Sequence, residues 1–364
     1  MARHTTKKSN AIVGVQNATS AFTTAQYSLN LYNIVQDWNY SIALPRQNLK
    51  QVGTQDVAAR EFFNQPDVEV GFAYIPEPSL ANESNGRFLG PALPTSTFVN
   101  MFSGALEMST NFYVFVSPNE QDDVLLSIQA GAPTNLSGFN VIAFGNCFPT
   151  TYSLSYSIGT LPIVSTNYVC SNAVFENATG TSMQLPAINL ESGNDNEVGI
   201  SVFNFGAGVG IKDGQSAIIV NPTDAGSSIS LENLQVGGQP LSGLHLVQSL
   251  NMNVNLPRVS NYGLGNDFAY GRQAQLPAKG TFEVSSLVSG LDSGVLTGVL
   301  NNDSTYNFEL VLEASGKKMI YQIEDAKLNS YNYGMSVSQN MTFDASFSFN
   351  VTETHGLKLS GTAY

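Results

Sequence analysis

The segment VQDWNYSIALPR, Val35 to Arg46, returns in the second half of the chain as VQSLNMNVNLPR, Val247 to Arg258. Six of the twelve positions are identical, including the closing Leu-Pro-Arg, and Trp38, Tyr40 and Ile42 are answered by Leu250, Met252 and Val254. In both copies apolar residues recur at every second position, the period of a strand and not of a helix. Trp38, Tyr40, Ile42 and Leu44 therefore point one way and Asn39, Ser41 and Ala43 the other, while Leu250, Met252, Val254 and Leu256 oppose Asn251, Asn253 and Asn255. One side is core and the other is wet. Duplication is the economical explanation.

The match runs on. At the same spacing Gly53 falls on Gly265 and Arg60 on Arg272; after small shifts Pro66 meets Pro277 and the VEV of 68–70 meets the FEV of 282–284, which sets Glu69 against Glu283. Further along, the second copy is the shorter, and TYSLSYSIGTLPIVSTNYVC (151–170) lies in phase with SYNYGMSVSQNMTFDASFSF (330–349). Each copy supplies at least four strand-like segments. Helix is expected only over Thr54–Asn64, where Thr54 can cap and Pro66 lies just beyond the end, and over Ser96–Ser103. The Gly- and Asn-rich stretch 173–216 matches nothing in the other copy and reads as a connection between the domains with a strand or two of its own. The organisation is an arm over 1–29, a first domain over 30–172, the connecting segment 173–216 and a second domain over 217–364.

Parity also assigns the wet face. It takes Asn39, Ser41, Glu69, Ser153, Ser155, Ser157, Ser165 and Asn167 from the first copy, and Asn251, Asn253, Asn255, Glu283, Asn332, Ser336, Asp344, Ser346 and Ser348 from the second. Glu69, Glu283 and Asp344 are the charges among these positions, with no Lys or Arg. A solvated sheet face ordinarily mixes both signs, partly to discourage edge pairing. This one reads as short-chained, polar, and neutral to acidic.

Composition sets the outer limits. The 364 residues suffice for two ordinary cores, charged residues make up 12%, and the net charge is −13. Arg3, Lys7 and Lys8 stand in an opening that has no acid, so residues 11–364 hold twelve bases against 28 acids, a net of −16. So acidic a body repels the phosphate backbone, which disfavours tight nucleic-acid binding but not passage alongside DNA. No apolar leader and no run of ~20 apolar residues is present, so neither a signal peptide nor a membrane span is expected. Cys147 and Cys170 read as buried thiols in a reducing compartment.

Chemical motifs fail in turn. FGAGVGIKDG (205–214) has Ile211 where a dinucleotide loop needs its third glycine, and no βαβ pattern surrounds it. His4, His245 and His355 lack metal-ligand spacing, no G-x-S-x-G offers a nucleophile, and ESGNDNEVG (191–199) lacks the EF-hand order. Neither an enzyme nor a cofactor is expected.

VQSLNMNVNLPR followed by YGLGNDFAYGRQAQLPAKGTFEVSSLV, the phrase FGNCFPTTYSLSYSIGTLP and the closing FDASFSFNVTETHGLKLSG resemble the tail tube (major tail) proteins of tailed bacteriophages. The resemblance covers most of 30–364. It implies a mainly β chain of two tandem β-sandwich or barrel-type tail tube domains with short flanking helices, whose inner sheets join those of neighbours into a closed barrel. A duplicated member resembles the forms that build a pseudo-hexameric ring from three chains. The wet positions, Asn39, Ser41, Glu69, Ser153, Ser155, Asn251, Asn253, Asn255, Glu283, Asn332, Ser336 and Asp344, would then line a lumen that conducts DNA into the host. The implied partners are the chain itself in stacked homotrimeric rings and other tail proteins such as tape measure, terminator and tail-tip proteins. DNA would be only a transient partner and no membrane is bound. The implied location is the virion tail, after synthesis in the cytoplasm of an infected bacterium. The competing expectation is a capsid decoration or glycan-binding adhesion protein of a virion.

Overall fold

A computed structural model describes residues 11–17, 27–44, 46–50, 57–62, 67–89, 98–104, 109–116, 140–157, 160–177, 182–184, 197–204, 235–236, 239–240, 245–261, 271–288, 305–314, 317–334 and 342–361. Its first half holds β1 (Ala11–Asn17), β2 (Tyr27–Leu31), β3 (Val35–Ala43), β4 (Arg46–Lys50), β5 (Val57–Phe62), β6 (Asp67–Tyr74), helix α1 (Ala81–Asn85), β7 (Val99–Asn100), β8 (Thr110–Val116), β9 (Asn140–Ser157), β10 (Ile163–Cys170) and β11 (Asn172–Asn177). A middle stretch carries β12 (Ser182–Gln184), β13 (Glu197–Asn204), β14 (Gln235–Val236) and β15 (Gln239–Pro240). The second half holds β16 (His245–Asn255), β17 (Arg258–Asn261), β18 (Gly271–Ala274), β19 (Ala278–Val288), β20 (Thr305–Ala314), β21 (Lys317–Gly334), β22 (Thr342–Val351) and β23 (Leu357–Gly361).

The chain is mainly β, and its two halves repeat one ladder. β3, β6, β10 and β9 pair antiparallel in that order, as do β16, β19, β22 and β21. Crossing the first ladder from Trp38 leads through Phe72 and Thr166 to Tyr152, and crossing the second from Leu250 leads through Val284 and Ala345 to Tyr331. Trp38 thus corresponds to Leu250 and Phe72 to Val284 at one spacing along the chain, and Thr166 to Ala345 and Tyr152 to Tyr331 at a second, shorter one. β9 then pairs with β16, Ser155 opposite Asn251 and Tyr152 opposite Val254, which fuses the two units into one antiparallel sheet of eight strands within a network of 17.

These registers correct one match. Glu69 pairs with Ser41, and Glu283 pairs with Asn251, the counterpart of Asn39. Glu69 therefore corresponds to Thr281, and Glu283 to Gly71. The two glutamates share a face but occupy different levels along it, because the repeated V/F-E-V phrase is a local coincidence that hydrogen-bond register overrides.

A second layer grows from the long strands. β9 and β21 each run for 18 residues; their early portions leave the eight-stranded sheet to pair with β8 and β11, and with β20 and β23. The bend falls at Asn146 (φ 53°) and Asp325 (φ 55°), which correspond at the same spacing as Tyr152 and Tyr331; Asn and Asp tolerate the left-handed region better than other side chains. At the bend the ladder slips past Asn111 in β8 and Asn307 in β20. Each asparagine turns its Oδ1 to accept the backbone N–H that the ladder leaves unpaired, from Asn146 at 2.9 Å and from Asp325 at 3.0 Å. A bulge that moves a strand from one sheet to another is how sandwich corners are made.

The core lies between the layers. Phe112 packs on Phe72 and Tyr168 with centroids 4.8 and 4.7 Å apart, and Phe308 packs on Phe282 and Phe347 at 4.9 and 4.7 Å. Cys147 and Cys170 are buried free thiols.

Two helix expectations are overturned. Val57–Phe62 is a strand paired with β4, Arg46 opposite Phe62, in the register that sets Arg258 opposite Ala274 in the β17–β18 hairpin; Thr54 lies outside the described residues. The chain doubles back after Leu-Pro-Arg, and cross-strand pairing overrides the helical propensity of VAAREF. Within Ser96–Ser103, Val99 and Asn100 form β7, paired with Leu359 and Lys358 of β23. The helix of the described residues is the five-residue α1. In the stretch assigned to an arm, β1 pairs along its length with β8 and buries Val13; Arg3, Lys7 and Lys8 lie outside the described residues. In the connecting stretch, β13 runs parallel to β2.

Candidate functional site

The eight-stranded sheet buries one face and opens the other. Asn39, Ser41, Glu69, Ser155, Asn251, Asn253, Asn255, Glu283, Asn332 and Asp344 are exposed and Ser153 is half-buried, while Ser336 lies outside the described residues. The ladders set many of them side by side: Ser41 faces Glu69, Ser155 faces Asn251, Ser153 faces Asn253, Asn251 faces Glu283 and Asn332 faces Asp344. Gly71 stands between Asn39 and Asn167, and a Cβ there would run into both amides. On the second unit the face is concave, a hollow of about 360 Å³ bounded by Ser249, Asn251, Glu283, Ser330, Asn332 and Asp344.

The face is not free of bases. Lys279 pairs with Asn255 and Asn350, and Lys327 with Ser348, all in the wet phase. Parity would have found Lys279, on the same strand and face as Glu283; Lys327 was hidden by the register slip between Leu328 and Ser330. Asp37 and Asp67 share this phase, opposite Ala73 and Ala43. Five carboxylates, Asp37, Asp67, Glu69, Glu283 and Asp344, thus stand against two lysines. Short amides and hydroxyls under a net negative charge offer an anionic polymer few cations to pair with. Among the described residues no group of three His, Cys, Asp or Glu is placed to hold a metal.

The sheet has two unequal margins. Among the described residues β3 pairs with β6 alone, and residues 328–334 of β21 pair with β22 alone. The apolar phase of β3 and of Leu44 just beyond it is only partly covered: Tyr40 is 43%, Ile42 39% and Leu44 48% exposed, Tyr40 packs on Phe144 and Phe175 at 5.8 and 5.9 Å, and Trp38 is half-buried and stacked on Tyr40 at 5.8 Å. Their counterparts Leu250, Met252, Val254 and Leu256 are at most 1% exposed. Trp38, expected in the core, packs against it but stays half-buried, because β3 lacks the neighbour that β9 provides for β16.

A buried polar cluster spans the seam between the halves. Tyr74 and Tyr152 donate to Glu83 Oε1 at 3.0 and 3.4 Å, and the Tyr152 and Tyr321 hydroxyls meet at 2.8 Å. The cluster ties α1 to β6, β9 and β21. Burial pushes the Glu83 carboxyl up to about 7, and it also raises Glu77, which accepts from Asn33 and Ser79. No alternation announces this cluster, since Glu83 stands on the five-residue helix α1, whose burial is decided by the layers around it.

Compared with models of known protein families and with curated proteins, the sequence matches none.

Proposed function

We propose that the chain is the tube protein of a phage tail. Each half is one tube domain of β-sandwich type, three chains close a ring of six such domains, and stacked rings form a conduit for DNA in the virion. A stagger carries this reading. Crossing the first unit from Asp37 leads through Ala73, Ser165 and Ser153 to Asn253 of β16, whose counterpart in β3 is Ser41. Each unit of four strands therefore offsets the next by the step from Asp37 to Ser41, one residue per strand.

Equal strand number and shear tilt the strands by about 35°, within the range of closed barrels. Two units alone would give the eight-stranded size whose interior side chains fill, and among the described residues the margins of one chain do not meet. Six units give twenty-four strands, a wall radius of about 22 Å and, inside the side chains, a bore of roughly 35 Å, which admits a duplex. Closure removes both exposed margins and covers the apolar phase of β3. The wet face becomes the lumen, where more carboxylates than lysines leave little to replace DNA counterions.

Electron microscopy of the purified protein tests this. Rings or tubes with three chains per layer, pseudo-sixfold symmetry and a wall about 45 Å across between backbones are expected. Monomers at every concentration, or rings with the wet face outward, would refute it.

A further inference from the structure

We propose that β3 of one chain pairs antiparallel with the end of β21 of the next, Ser41 opposite Asn332, and that Arg46 staples this joint as Arg258 staples the joint inside the chain. The inference rests on the ring reading above and adds its register and its anchor.

The internal joint is the template. β9 and β16 pair with Ser153 opposite Asn253. Beyond the last ladder pair, Leu256 N–H donates to Thr150 O at 2.7 Å, and Arg258 Nε donates to Pro149 O at 2.7 Å while its guanidinium lies 5.1 Å from the centre of the Phe148 ring. Arg258 Nη1 donates to Arg272 O at 2.9 Å, which holds the root of the β17–β18 hairpin against the same strand end. The repeated Leu-Pro-Arg therefore has a physical use: its leucine N–H and arginine close a seam between sheets.

The second copy of every participant is in place. Leu44 and Arg46 are the first-half counterparts of Leu256 and Arg258; Leu328 and Asn329 hold in β21 the places that Pro149 and Thr150 hold in β9. Thr150 is skipped by the ladder between β10 and β9, and Asn329 is skipped at the matching point between β22 and β21. Carrying the contacts across gives Leu44 N–H to the neighbour's Asn329 O and Arg46 to its Leu328 O. One difference weakens the copy. Lys327 occupies the place of Phe148, so the joint between chains has no ring beneath its arginine and is more readily opened than the joint within one.

The test compares wild type, Arg46→Ala, Arg46→Lys and Arg258→Ala for thermal melting of the monomer and for ring formation by sedimentation. Arg258→Ala should lower the melting point of the monomer itself. Arg46→Ala should lower monomer melting less than Arg258→Ala does and raise the concentration needed for rings roughly tenfold or more, with Arg46→Lys recovering only part. Independently, Ser41→Cys/Asn332→Cys should cross-link chains into closed trimers on oxidation with oxidised glutathione, whereas Ser41→Cys/Gly334→Cys, displaced along the strand to the next position on the same face, should not. Absence of rings from wild type would refute the ring reading itself. Normal ring formation by Arg46→Ala, or cross-linking by the displaced pair alone, would overturn the staple and its register while leaving rings intact.

Discussion

At the scale of single residues, the paired asparagines at the bends show how a small polar side chain holds a large strand. Asn111 is fully buried and Asn307 is exposed, yet both accept the N–H of a left-handed residue. Asn111→Ala should cost about 1–3 kcal/mol, because a buried donor is orphaned, and Asn307→Ala less, since water replaces the lost acceptor; urea unfolding of each variant measures the difference. Val68 faces Cys170 in the first unit by the same ladder geometry that sets Gly280 against Phe349 in the second. A Cβ on Gly280 would strike the Phe349 ring. Gly280→Val should therefore destabilise by about 1–3 kcal/mol or more, and adding Phe349→Cys, which rebuilds the first unit's pairing, should restore most of it in the same assay. Glu83 ties stability to pH. A carboxyl raised on folding holds its proton more tightly in the folded chain, so its contribution is full below the ordinary value of 4.5 and is lost as pH rises through about 7. Glu77, raised by burial as well, acts in the same direction. The unfolding free energy should fall by on the order of 3 kcal/mol between about pH 5 and pH 8, and Glu83→Gln, which keeps an acceptor for Tyr74, should flatten much of that slope.

At the scale of elements, the same strand written twice has two fates. Val254 of β16 is fully buried between β9 and β19, while its counterpart Ile42 lies 39% exposed at the margin. Val254→Asp should prevent folding, at a cost above about 4 kcal/mol, because an unpaired carboxylate enters the core. Ile42→Asp should leave the monomer within about 0.5–1 kcal/mol of wild type and abolish ring formation, which melting and sedimentation together distinguish. The strands themselves were legible, since alternation in β3, β16, β9 and β22 is strong and parity placed Asn39, Ser155, Asn253 and Asp344 on one face. Strand β5 was not, because VAAREF has no alternation to betray it and only its pairing with β4 makes it a strand. Lys327 went unnoticed for a related reason: one skipped residue reverses parity beyond it.

At the scale of the whole molecule, the tube reading makes charge in the bore a functional variable. Glu69→Lys/Glu283→Lys leaves core and joints untouched, so particles should assemble. DNA release should slow, most strongly at low ionic strength, because lysine can displace phosphate counterions; normal release kinetics by assembled particles would count against a lumenal face. The amino-acid sequence by itself determined that the chain is mainly β, with a strand pattern written twice and with one apolar and one short, polar phase, because period and repeat are local properties of the chain. Tertiary structure alone decided that the halves fuse through β9 and β16, that each unit staggers the next, that Glu69 and Glu283 stand at different levels, and that β3 is a margin and β16 an interior strand. Register and neighbourhood are settled by hydrogen bonds between residues far apart in the chain, and two nearly identical segments carry no local mark of which one a neighbour will cover.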